Sequence, residues 1–409
     1  MPTSIDPKTD GGVTDMDMDR DMDADLRRAA LSLATARGPE DVFGALPGTP
    51  EQQVVAARSA YRRLARACHP DRFAASDHMQ DRRVAERTFR ALTALWEQAR
   101  QEIGAGVYGA PAGETAPRRA EQVRVRGRRR EYLVGQPLAM GDLATLYRCS
   151  FALDGAPARG VFKVARDPAD NGLLENEARS LRRLGASPDR ATYGAYVPTL
   201  VDSLRYTDPS APGGPRQANV LTYAEGLYTF EEVMEHYPRG VDPRDMAWMW
   251  RRLLVALGVA HRNGRVHGAV LPPHVLIQPE GHGLVLIDWS YAVHDPATTG
   301  DHVAAISVAH EAWYPDEVLR KRASGPGTDI AMAARCMVAL LGGDPVVGTL
   351  PPSAPHRLRA FFHGCTLPGL GQRPGDAWDL LAEFDDLIER LWGPRAFRPF
   401  HMPARPSDE

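Results

Sequence analysis

Between Thr49 and Cys68 the apolar residues Val54, Ala57, Tyr61, Leu64 and Cys68 recur at steps of three and four. That spacing predicts a helix with one buried stripe. Its start is marked by Thr49, Pro50 and Gln52, which supply a capping hydroxyl, a proline at the first helical position and a glutamine three residues after the cap. Arg58, Arg62 and Arg66 fall on a second stripe, with Arg63 beside them. A loop containing His69, Pro70 and Asp71 follows. Ala85, Phe89, Leu92, Trp96, Ala99 and Ile103 then repeat the helical spacing. Two amphipathic helices joined by a short loop make an antiparallel hairpin, within a helical pattern that runs over about residues 27–104.

The first 26 residues carry eight aspartates and no apolar period, and read as a disordered acidic tail. Such a tail is either simply solvated or competes for a basic surface elsewhere. Residues 105–130 open with glycine, alanine and proline, the composition of a flexible linker, and end in a basic lead-in to a strand. That basic stretch is either a solvated strand edge or a patch for an anionic partner. Beyond it, strand patterns over 132–138, 144–151 and 160–165 precede a helical segment over 175–184. From Asp245 onward helical patterns dominate, interrupted by strand-like runs at 274–278 and 284–287. A mostly β portion followed by a mostly α portion predicts a two-lobed α+β unit over 131–395, with 396–409 a C-terminal tail.

Composition narrows the function classes. With 409 residues, 43% apolar and 25% charged, the chain is long enough for two or three folded units and is not of disordered, collagen-like or membrane composition. A net charge of -3 provides no global field toward nucleic acid or membrane. The cysteines at 68, 149, 336 and 365 form no C-x-x-C pair, which argues against a zinc ribbon or a disulfide framework. No leader or spanning run is recognisable, so a cytoplasmic location is expected. Only Lys8, Lys163 and Lys321 are lysine among 49 basic residues. A lysine retained inside a folded segment therefore asks for a reason.

The string from Ala60 to Arg72, A-Y-R-R-L-A-R-A-C-H-P-D-R, resembles the J-domain family. The resemblance implies that His69, Pro70 and Asp71, with the basic face of Arg58, Arg62, Arg63 and Arg66, engage a DnaK-type heat-shock ATPase chaperone and stimulate its hydrolysis. Independently of the family, proline at a loop tip presents an imidazole and a carboxylate where neither serves the core, and guanidinium groups behind them suit acidic partner residues. Trp96 departs from the family pattern, and no glycine/phenylalanine-rich or cysteine-rich module follows. Any client is then chosen by the rest of the chain.

Residues 131–395 resemble a eukaryotic-type protein kinase. Lys163 in V-F-K-V and Glu177 in E-x-x-x-L-x-x-L stand where that family pairs a strand lysine with a helix glutamate. In the loop at 138–146 only Gly141 remains of the usual three glycines, so the approach of backbone amides to phosphates is poor. The segment beginning His267-Gly268-Ala269 and reaching His274 takes the place of the catalytic loop. There Ala269 replaces the acceptor-orienting aspartate, Leu271 the phosphate-side lysine and His274 the metal-binding asparagine. Imidazole is a poor ligand for magnesium. Asp288, in D-W-S, keeps the metal-binding carboxylate, while Glu317, Asp329 and Arg373 match groups that hold the family's architecture together.

These readings predict an all-α J-domain hairpin followed by a two-lobed kinase-like unit. The function they imply is a co-chaperone for a DnaK-type ATPase, with loss of catalysis leaving a pseudokinase module that binds an unknown client protein or senses nucleotide. ATP and magnesium would then bind weakly through Gly141, Lys163, Glu177 and Asp288. The alternatives are an active, divergent serine/threonine kinase and a non-catalytic adaptor.

Overall fold

The computed structural model describes residues 24–403 except 37, 74–78, 110–122, 142, 208–213 and 224. The acidic segment before residue 24, most of the stretch read as a linker and the last six residues lie outside the described residues. The chain divides into two compact units, Met1–Arg118 and Arg119–Glu409.

In the first unit four helices share one core: α1 (Ala24–Thr35), α2 (Pro39–Phe43), α3 (Pro50–Cys68) and α4 (Met79–Ala105). The start of α3 is a reciprocal cap. Gln52 N donates to Thr49 Oγ1 at 3.4 Å, and Thr49 N donates to Gln52 Oε1 at 3.0 Å. Ala57, Ala60 and Cys68 of α3 meet Ala85, Leu92, Ala99 and Ile103 of α4, all buried. Trp96 fits this helix because Tyr61 and Phe43 receive it, with ring centroids at 5.4 and 6.2 Å.

One expectation is corrected here. The acidic tail does not extend to residue 26, since α1 begins at Ala24 and packs on α3 and α4. Leu26, Ala29 and Leu33, spaced at three and four residues, are buried, and that stripe outweighs the aspartates that flank it.

The second unit is a mixed α+β fold. Its six-stranded antiparallel sheet has the order β1-β2-β3-β4-β6-β5. The strands are β1 (Val123–Arg126), β2 (Glu131–Met140), β3 (Ala144–Leu153), β4 (Ala156–Ala165), β5 (Leu200–Tyr206) and β6 (Arg216–Thr222). Helix α5 (Asn171–Gly185) lies on β4, β5 and β6. In register, Lys163 of β4 faces Leu146 of β3 on one side and Asn219 of β6 on the other.

The helical portion is built on α7 (Pro243–Arg262) and α8 (Pro326–Leu340), which follow α6 (Phe230–His236) and precede α9 (His356–Cys365) and α10 (Ala377–Trp392). Met246, Trp250, Leu253, Leu254 and Leu257 of α7 join Ile330, Met332 and Met337 of α8 in one core. Short strands lie between: β7 (Tyr228–Thr229) and β10 (Gly283–Leu286) flank β9 (Val275–Gln278), and β8 (Arg265–Val266) pairs with β11 (Val293–His294). This last pair fixes the chain on both sides of the residues discussed below.

The segment read from sequence as a C-terminal tail over 396–409 is docked over its described part. His282 is stacked between Trp248 and Phe397, with centroids at 4.2 and 4.4 Å. Tyr237 Oη donates to His401 O at 2.6 Å and Tyr228 Oη to Pro403 O at 2.9 Å. These contacts hold a segment with no regular structure against the helical portion. No described helix is long and apolar enough to cross a membrane. The four cysteines are buried free thiols.

Candidate functional site

Strand β4 carries Lys163 to the edge of α5, and the turn after β10 brings Asp288 to the same point. Lys163 Nζ donates to Glu177 Oε1 at 2.8 Å, to Asp288 Oδ1 at 2.7 Å and to Ser290 Oγ at 3.2 Å. Glu177 is also held from behind. Asn219 Nδ2 donates to Glu177 Oε2 at 2.9 Å and to Leu174 O at 2.8 Å. Asn176 Nδ2, on the same helix, donates to Ser290 O at 3.1 Å and Ala292 O at 2.7 Å, tying α5 to the segment after Asp288. Burial alone would push the Lys163 ammonium down, but the Asp288 and Glu177 carboxylates override it and hold its pKa above the ordinary value. Burial would likewise raise Asp288, yet Lys163 and then His274 hold that carboxyl far below the usual range.

Asp288 sits in the left-handed region at φ 60 and ψ 67, which turns its carboxylate toward Lys163. Trp289, fully buried, donates Nε1 to Leu286 O at 2.9 Å and packs edge-on against His267 at 4.6 Å. Carbonyl oxygens only accept, so their partners define two ring tautomers. His267 Nε2 donates to Ile287 O at 2.9 Å, and its Nδ1 accepts from Ala269 N at 3.3 Å. Burial drives the His267 pKa down to about 4. His274 is the reverse: Nδ1 donates to Ala269 O at 2.8 Å, which leaves Nε2 facing Asp288 Oδ2 at 3.4 Å. Burial holds His274 below the ordinary imidazole range.

Asp329 organises the turn. Its two carboxylate oxygens accept from His267 N at 2.7 Å and Gly268 N at 2.8 Å, and Oδ2 also accepts from His261 Nε2 at 2.8 Å. Gly268 has φ 74, and a Cβ there would stand 2.8 Å from both Tyr291 O and Val303 Cγ2. An arginine is excluded at this position by backbone and by space. Ala269 and Leu271 are fully buried in the core. Farther along, Arg373 grips Glu317 with Nη1 on Oε1 at 2.6 Å and Nη2 on Oε2 at 3.2 Å, while Thr328 Oγ1 donates to Oε1 at 3.0 Å.

In the first unit, His69 caps the end of α3 in extended geometry, and Pro70–Phe73 continues at once as a 3-10 turn. The imidazole is not presented free at a tip. It is half-buried, edge-on to Phe89 with centroids at 5.0 Å, so it also serves packing. Arg58, Arg62, Arg63 and Arg66 are all exposed on α3. The side chains of Pro70 and Asp71 lie outside the described residues.

Sequence reasoning missed Asn176, Asn219 and Ser290, which complete the Lys163 network, and His261. Asn219 had a readable signal: a lone amide inside the apolar run Ala218–Leu221, on the strand beside Lys163. Asn176 and Ser290 had none beyond their adjacency to Glu177 and Asp288.

Phosphate and metal find few free groups here. Gly141 N is already engaged with Ala144 O at 2.9 Å. Neighbouring ligands of octahedral magnesium, at roughly 2.1 Å from the ion, stand about 3.0 Å apart and are oxygens. The His274 and Asp288 pair differs in both respects. No protein-family model and no curated protein matches the chain.

Proposed function

We propose that the chain is a two-module co-chaperone: the helical unit stimulates a DnaK-type heat-shock ATPase, and the α+β unit is a pseudokinase-like module that binds a client protein. The observation that carries the first part is the capped helix α3, ending at His69, with Arg58, Arg62, Arg63 and Arg66 exposed along it. Guanidinium groups so arrayed suit a partner surface rich in carboxylates.

The second part is supported by which groups persist and which do not. The buried Lys163-Glu177 pair, the Asp288 carboxylate, the Asp329 anchor and the Glu317-Arg373 pair are architectural. The position where an acceptor proton would be taken holds the buried methyl of Ala269, and that of a second metal ligand holds His274. General-base and electrostatic assistance are each worth about two or more orders of magnitude, so phosphoryl transfer is expected to be undetectable and nucleotide binding weak.

Steady-state ATP hydrolysis by a DnaK-type ATPase, measured with the full chain and with His69→Gln, tests the co-chaperone reading. Stimulation by the first and not the second supports it, and equal rates leave a non-catalytic adaptor. The intact Lys163-Asp288 contact favours one competing reading, an active divergent serine/threonine kinase. Autophosphorylation that disappears in both Lys163→Ala and Asp288→Ala would establish that reading instead.

A further inference from the structure

Helix α5 carries a second polar edge besides the one that bears Glu177. Asn176, Arg179 and Arg183 recur at steps of three and four, so they share one face of the helix. Asn176 sets where that face runs, because its Nδ2 donates to Ala292 O at 2.7 Å, immediately before β11. Across β11, His294 stands in register with Arg265 of β8. The two helix arginines are exposed, whereas Arg265 is only 8% exposed. Three guanidinium groups thus gather where α5 passes the β8-β11 pair, near enough for Arg183 and Arg179 to act on Arg265.

We propose that Arg179, Arg183 and Arg265 form an anion site that takes a phosphate group, apart from the Lys163 network. Three observations carry this. The first is the lack of an answering charge. Among the described residues no carboxylate lies within ion-pair distance of any of the three arginines. Acids of the neighbouring segments are engaged elsewhere: Asp189 receives Arg262 Nη2 at 2.9 Å and Asn263 Nδ2 at 3.2 Å, and Asp295 Oδ2 lies 3.3 Å from His294 Nε2. The second is the state of Arg265 itself. Its Nη1 donates to Gly264 O at 3.2 Å and to His294 Nδ1, which fixes the head, while its buried Nε has no partner. A buried cation with a donor left over is costly unless an anion answers it.

The third is charge balance. Burial first, then Arg183 and Arg179, push the Arg265 pKa below its ordinary range, with the Asp295 carboxylate opposing them. Three guanidinium groups set against that one carboxylate leave two positive charges uncompensated. A phosphate group carries about -1.5 to -2 at neutral pH and offers three acceptor oxygens, which suit guanidinium forks approaching from a helix and a strand. A single carboxylate would answer only half of the charge. The exposed helix arginines leave the approach from solvent open. The inference stands on these residues alone and depends on neither the co-chaperone nor the kinase-like reading.

The test titrates the full chain with inorganic phosphate and, separately, with N-acetyl-phosphoserine amide, each followed by phosphorus NMR at fixed pH and constant ionic strength. Saturable binding is expected, and whichever of the two probes binds more tightly names the source of the phosphate group as the free ion or a phosphorylated residue. Arg179→Gln/Arg183→Gln should weaken binding by about 10-fold or more, the loss expected when a hydrogen bond to a charged group is removed. Arg390→Gln, which removes an exposed arginine on α10, should leave binding unchanged. Arg265→Gln should abolish binding; far-ultraviolet circular dichroism is recorded on it, and the helix double variant, altered only at exposed positions, decides if Arg265→Gln fails to fold. No saturation by either probe up to roughly 10 mM, equal binding by the wild type and Arg179→Gln/Arg183→Gln, or an equal loss in Arg390→Gln would each overturn the proposal.

Discussion

Lys163 and Asp288, 125 residues apart in the chain, meet at 2.7 Å, and the same ammonium holds Glu177 at 2.8 Å. One cation thereby couples the sheet, helix α5 and the turn after β10. Removing one member of a buried ion pair leaves the other without compensation, which is typically more costly than never having buried the pair.

Lys163→Met is accordingly expected to cost about 3–5 kcal/mol of stability, since Glu177 and Asp288 would remain buried as uncompensated like charges. Urea unfolding followed by tryptophan fluorescence reads the loss. A change under about 1 kcal/mol would show that water reaches the network freely.

His267 gives stability a pH dependence of defined sign. Its folded pKa is depressed to about 4, below an unfolded value of about 6.5. Between these values the unfolded chain binds the extra proton, so the contribution is fully present above about pH 6.5 and declines as pH falls toward 4. The shift corresponds to a loss of about 3 kcal/mol over that window, to which His274 adds in the same direction. Unfolding midpoints measured from about pH 7 to about pH 5, ahead of most carboxylates, should fall for the wild type and fall less for His267→Gln.

Gly268→Ala tests the turn that Asp329 organises. A side chain at φ 74 is strained and its Cβ would press on Tyr291 O and Val303, so a loss of about 1–3 kcal/mol is expected. Gly268→Arg should be worse still. A thermal melt of each variant gives the answer.

Glu317→Gln removes the charge that Arg373 holds with two hydrogen bonds, both side chains being almost wholly buried. The uncompensated guanidinium should cost about 3–5 kcal/mol, with little of it recovered at high salt because ions screen a buried pair poorly. Recovery of most of the loss at high salt would mean that the pair is wetter than its burial indicates.

The elements set by local chemistry were the legible ones. The Thr49 and Gln52 cap announces α3, period-four apolar residues announce α4, and the scarcity of lysine singles out Lys163. The residues that complete the site depend on the third dimension. Which way the His274 ring turns is decided by Ala269 O, and whether Ala269 faces solvent is decided by helices packed later in the chain. Sequence could name these residues but not their directions. The start of α1, at residues 24–26, was obscured because aspartates next to Leu26 dominate local composition while its stripe is only three residues long. The segment at 393–403 has no period at all, and its docking on His282, Tyr237 and Tyr228 leaves no local trace.

The co-chaperone reading is tested most directly by single-turnover hydrolysis: a preformed complex of a DnaK-type ATPase with ATP is mixed with the full chain, with His69→Gln, or with Arg62→Glu/Arg66→Glu. The account predicts several-fold faster hydrolysis with the wild type, none of that acceleration with His69→Gln and most of it lost on charge reversal, restored by no change of salt. Acceleration that is absent with the wild type, or identical for all three proteins, would contradict it.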